Sequence, residues 1–140
     1  MILSPFLTAA ETGHLVLATL HTPDVSQTID RIIDVFPSHQ QEQVRIQLAQ
    51  CIQGIMSQQL LPMAGEGGRV LAAEVLVATP AVRQIIRTKK TEQIMTVLQT
   101  STEGGMMSMD KSLKMLYQQG LISYNEAISK CKFPENFGRI

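Results

Sequence analysis

Residues 13–24 read GHLVLATLHTPD, and the six residues HLVLAT at 14–19 decide the fold class. The run has strand length and is almost wholly apolar, which suits a strand buried on both faces of a parallel sheet covered by helices. Ahead of it, residues 5–12 read as the end of a helix that Gly13 closes in a left-handed conformation. Behind it, Thr22-Pro23-Asp24 predicts a helix start: a hydroxyl cap, a proline in the first turn and an acid against the helix dipole. Val25, Ile29, Ile32, Ile33 and Phe36 follow at helical spacing until Pro37 stops them. A single strand of this type cannot satisfy its own backbone, because both edges require partners. No later segment resembles two further buried parallel strands, so the expected sheet lies in sequence before Met1.

Further along, Val44, Leu48, Cys51, Ile52 and Ile55 form the apolar stripe of a helix beginning at Ser38, with Gly54 as its expected end. Residues 55–61 and 69–79 predict two strands joined across Gly65-Glu66-Gly67-Gly68 as a hairpin. Helices are expected over 80–88, 91–99 and 110–119, with a glycine and methionine loop at 104–107. Ser123 caps a last short helix through 129. The fold is therefore α/β at its beginning and mostly α by its end. The expected division is a partial α/β core over 1–79 and a helical region over 80–140.

Composition excludes several classes of function. Twelve basic and twelve acidic side chains cancel, and no basic stripe stands out, so nucleic acid is not an expected partner. The N-terminus lacks a cationic leader and carries Glu11 early. Cys51 and Cys131 lie far apart without a CxxC pair, which argues against a disulfide or zinc framework and fits a reducing, cytoplasmic compartment. Cys51 falls on an apolar helix face and reads as a small buried hydrophobe.

The cluster with chemical potential is Thr19, His21 and Thr22, at the carboxyl end of the expected strand, where open α/β sheets bind ligands. Read locally, it is an ordinary strand-to-helix turn with a capping threonine before it is a site. His14 and His21 do not make a metal pair. Along a strand they lie on the order of 20 Å apart, and a spacing of seven points them to opposite faces. The phosphate-cradling pattern GxxxxGK followed by Ser or Thr is absent, as is an apolar strand ending in paired acids. Arg83 and Arg87 share a helix face that Lys89 and Lys90 extend, ordinarily a solvated face and here also a candidate contact surface. Glu74 interrupts an apolar strand, and a local ion pair explains it better than catalysis. Met106, Met107, Met109 and Met115 read as flexible packing.

With those residues in view, the segment TAAETGHLVLATLHTPDVSQTIDRIIDVFP at 8–37 resembles the histidine box and following helix of the secretion and pilus motor ATPases. IMSQQLLP from Ile55, AAEVLVATPAVRQIIR ending at Arg87, and Met109-Asp110 with LYQQGLISYNEA are similar to the PilT-type retraction motors of twitching motility. A short glycine turn stands where assembly motors usually carry a four-cysteine zinc insertion. AVRQIIR resembles that subfamily's arginine motif, with Thr88 where an acid commonly ends it.

The resemblance implies the C-terminal remnant of a RecA-like P-loop ATPase domain, made of one buried strand plus a β-hairpin, followed by a helical C-terminal region. It implies a hexameric ring using ATP and magnesium, working with a pilus platform at the cytoplasmic face of the inner membrane. His21 becomes a γ-phosphate sensor and His14 a structural or coupling residue, with Thr19 and Thr22 beside them. Arg83 and Arg87 become a motor surface. Because the phosphate cradle and acidic boxes would lie before Met1, the isolated chain is expected neither to hold ATP and magnesium nor to hydrolyse nucleotide. It is also expected to be marginally stable. The alternatives are a non-catalytic module that docks on and regulates the intact motor, and a small enzyme using His14 and His21, which their spacing disfavours.

Overall fold

A computed structural model describes residues 3–101 and 103–138. Helix α1 (Leu3–Glu11) ends where Gly13 takes φ +91°. The amides of Gly13 and His14 donate back to the carbonyls of Ala10 and Ala9, as a left-handed helix cap requires.

Residues 14–22 correct the expectation of a buried strand. They form neither strand nor helix, and residues 15–22 make no backbone–backbone hydrogen bond among the described residues. Leu15 is 83% exposed and Leu17 86%. The physical reason is the one that made the run conspicuous: an apolar segment becomes a buried strand only beside other strands. No neighbouring strand flanks it among the described residues.

Helix α2 (Val25–Asp34) follows, and Pro37 separates it from α3 (Ser38–Cys51). The α2 cap is Asp24 rather than Thr22. Its Oδ1 accepts from the Gln27 amide at 2.8 Å, while the Thr22 hydroxyl pairs with that of Thr28 at 2.6 Å. Gly54 does not end α3 but opens β1 (Gly54–Pro62), where a Cβ would lie 2.9 Å from the Leu76 carbonyl oxygen.

Strands β1 and β2 (Arg69–Val77) pair antiparallel, with Ser57 opposite Glu74 and Leu61 opposite Val70. Thr79 caps α4 (Pro80–Arg87), whose proline occupies the first turn. A single 3-10 turn, Thr91–Gln93, leads into α5 (Ile94–Thr100). The methionine loop also contributes pairing: Met107 and Val75 exchange backbone hydrogen bonds at 2.8 and 3.0 Å. Ser108 caps α6 (Met109–Gln118) and Ser123 caps α7 (Tyr124–Lys130). A short α8 (Pro134–Phe137) was not anticipated.

The molecule is thus mixed α/β, a set of helices around one two-stranded sheet. Two apolar clusters hold it together. The first joins Val25, Ile29 and Ile33 of α2, Val44 and Leu48 of α3, Leu76 of β2, Val82 and Ile86 of α4, and Ile94 and Leu98 of α5. The second joins Leu61 and Ala72 of the hairpin to Met109, Leu113, Ile122, Ala127 and Phe137. Each fully buried aliphatic side chain here contributes about 1.5–3 kcal/mol. On the inner face of β2, Ala72, Glu74 and Leu76 alternate, so Glu74 stands between the two clusters.

Candidate functional site

The histidine-bearing segment runs from the cap of α1 to the cap of α2. His14 is exposed, with Nδ1 3.1 Å from the Thr12 hydroxyl. Thr19 and His21 are exposed, and Thr22 is half-buried against Thr28. The strand from which opposite histidine orientations were expected is not formed. Among the described residues, no group of three or more His, Cys, Asp or Glu is placed to hold a metal ion.

What the segment does have is a firmly anchored end. Glu74, with no exposed surface, sends Oε1 to the Val25 amide at 3.0 Å, in the first turn of α2. Its Oε2 accepts from the Met109 amide at 3.3 Å, in the first turn of α6. Each helix start presents unpaired N–H groups and a positive dipole end, so one carboxylate serves both. Lys132 Nζ lies 3.5 Å from Glu74 Oε2 and 3.5 Å from Asp24 Oδ2, bridging the carboxylate to the α2 cap. Beside them the Ser57 hydroxyl donates to the Pro23 carbonyl at 3.0 Å. The polar seam between the two cores thus fixes the point where the histidine segment enters α2. It also ties that point to α6 and to the chain beyond α7.

The ion pair expected at Glu74 is present. Its use of two helix starts was not foreseen, although the inward register of Glu74 in an alternating strand was the available signal. Asp110 repeats the device: its two oxygens accept from the Lys132 and Phe133 amides at 2.8 and 3.0 Å.

The two arginines have different surroundings. Arg83 Nη1 donates to the Ala49 and Gln50 carbonyls at 2.8 and 2.7 Å, a cation on the C-terminal end of α3. Arg87 is exposed and reaches only Gln84 Oε1, at 3.3 Å. Neither cysteine is an activated nucleophile. Burial pushes the Cys51 thiol up. Burial, then the neighbouring Asp110 carboxylate, pushes Cys131 up to about 11.

Comparison with known proteins gives this geometry its context. Residues 3–66 match the family described as type II/IV secretion system protein. The chain is 48% identical over 131 residues to the type IV pilus retraction ATPase PilT of Pseudomonas aeruginosa, covering 94% of this chain and 38% of that protein. It is 48% identical over 130 residues to a twitching motility protein of Neisseria gonorrhoeae, covering 93% and 35% respectively. The crystal structure of the pilus retraction motor PilT with bound ADP superposes with a TM-score of 0.85 at 46% identity. That match covers 99% of this chain and 38% of the solved one. The chain therefore matches pilus retraction ATPases over nearly all its own length and spans little more than a third of theirs. Among the described residues, no helix is long and apolar enough to cross a membrane.

Proposed function

We propose, from a chain similar over nearly its whole length to the type IV pilus retraction ATPases, that these 140 residues are part of an ATP-driven motor that retracts pili for twitching motility. The observation that carries this reading is the superposition on a retraction motor at a TM-score of 0.85 over 99% of the chain. In the working motor the subunits form a six-membered ring at the cytoplasmic face of the inner membrane, against a pilus platform. Residues 1–79 belong to the RecA-like ATPase core and residues 80–140 to the helical region that passes its motion on. ATP and magnesium are held by residues outside these 140, and the isolated chain does not hydrolyse nucleotide.

Within that motor His21 senses the γ-phosphate, with Thr19 and Thr22 beside it. His14, hydrogen-bonded near the α1 cap, positions the segment. Leu15 and Leu17, exposed here, pack between strands of the remaining ATPase domain. Displacement of the segment reaches α2 through Asp24 and is shared with α6 through Glu74. Arg83 holds α4 to α3, which leaves Arg87 to face a neighbouring component.

The test is a chimera in which these residues replace the matching part of the Pseudomonas aeruginosa relative. ATPase activity near that of the parent is expected, and His21→Ala in the chimera should lower it about tenfold or more. A chimera that folds and assembles yet hydrolyses no ATP would overturn the reading, as would turnover by the purified 140-residue chain. A stable complex between that chain and an intact motor subunit, alongside an inactive chimera, would favour the docking module instead.

A further inference from the structure

A second region, remote from the histidine segment in sequence, contains a buried ammonium without a hydrogen-bond partner among the described residues. Lys114 of α6 is only 9% exposed, and its Nζ has no hydrogen-bond partner among the described residues. Lys132 offers the contrast, with two carboxylates at 3.5 Å. Asp110, one helical turn before Lys114, is the natural i,i+4 partner, yet both of its oxygens are engaged by the Lys132 and Phe133 amides. The neighbouring Cys131 thiol, pushed up to about 11, remains neutral at physiological pH and supplies no anion. A buried ammonium left in this condition is costly, and a site that supplies an anion removes the cost.

Lys114 forms part of the wall of a cavity of about 550 Å³, within the size range of small-molecule sites. The rest of the wall includes Met115, Phe133 and Phe137, the Asp110 carboxylate and the Gln118 amide, with the exposed Lys111 one turn earlier on α6. Two lysines against one aspartate, with an apolar patch beside them, leave the wall net cationic and half apolar, the character of a site for an amphipathic anion with a charged head and an apolar body.

We propose that this cavity binds a small organic anion, its carboxylate paired with Lys114 and its hydrocarbon lying on Met115, Phe133 and Phe137. Because Nζ is sealed from solvent, its flexible four-carbon stem swings toward the cavity as the anion enters. The proposal does not depend on the nucleotide reading, since no residue of the histidine segment lines the cavity.

Sodium octanoate is the probe, followed by NMR through the Met115 methyl in the 140-residue chain. 1-Octanol and inorganic phosphate serve as the uncharged and non-apolar controls. Saturable octanoate binding is expected, about tenfold or more tighter than either control. Lys114→Met should bring octanoate down to the level of octanol, and Lys114→Arg should preserve the difference. Absence of a saturable shift, octanol binding as tightly as octanoate, or undiminished octanoate binding by Lys114→Met would each overturn the proposal. Phosphate binding as tightly as octanoate would overturn the assignment of an organic ligand. Should Lys114→Met fail to fold, the octanol comparison and the arginine variant still decide.

Discussion

Glu74 Oε1 accepts the Val25 amide across 49 residues of sequence, at 3.0 Å and without solvent access. The same carboxylate holds the start of α6 and one side of Lys132, so its removal should be felt in both cores. Glu74→Ala leaves two buried amides unpaired and a lysine with one remaining carboxylate. The expected loss is about 3 kcal/mol, read from urea denaturation. Glu74→Gln preserves the shape and one acceptor, and should lose roughly half as much. A loss below about 1 kcal/mol for the alanine variant would mean that the seam does not join the two clusters.

Arg83 and Arg87, four residues apart on α4, should respond differently to the same substitution. Arg83→Ala removes two hydrogen bonds to carbonyls at the end of α3 and a cation from a negative dipole end. About 1–2 kcal/mol of stability should go with it. Arg87→Ala removes an exposed contact to Gln84 and should stay within about 0.5 kcal/mol. Paired thermal melts check this, and equal losses would contradict the assignment.

Much of this architecture is legible in local chemistry. The hairpin follows from two apolar runs around Gly65-Glu66-Gly67-Gly68, and Ser123 and Pro37 mark their helix boundaries where expected. At the start of α2, Thr22 and Asp24 are both good caps two residues apart, and sequence does not say which amide each will reach. The run at 14–19 carries strand character without strand neighbours, so composition and conformation part there. Glu74 shows the deeper limit. Its register is visible, but its partners lie 49 and 35 residues away, and nothing local to Val25 or Met109 announces them. Asp110 shows the same limit, its partners being the Lys132 and Phe133 amides 22 and 23 residues away.

Cys131 should be a slow thiol. Because the thiolate is the reactive species, alkylation by iodoacetamide at pH 7 should run well below that of an ordinary cysteine. Its rate should rise about tenfold per pH unit until it levels near 11. The folded state binds this proton more tightly than the unfolded chain, whose thiol titrates near 9.0. The associated stability is therefore intact below about pH 9 and lost as pH climbs to about 11. Mass spectrometry of the labelled residue against a denatured control measures the rate. Equal labelling at pH 7 would remove the burial argument.

Leu15 and Leu17 separate the chain's own stability from its fitness for a larger assembly. Both are more than four-fifths exposed, so neither contributes core packing within these residues. Replacing both with serine should change the unfolding free energy of the 140-residue chain by no more than about 0.5 kcal/mol. Self-association should fall, because two large apolar side chains leave the surface. In a full-length chimera with a retraction motor, the same changes should behave as core substitutions, costing about 1.5–3 kcal/mol for each leucine that becomes buried. Sedimentation velocity and denaturation of the two proteins give four measurements from one double variant. If the short chain lost as much stability as the chimera, the leucines would already be packed within it. Their proposed burial against other strands of a larger assembly would then lose its support.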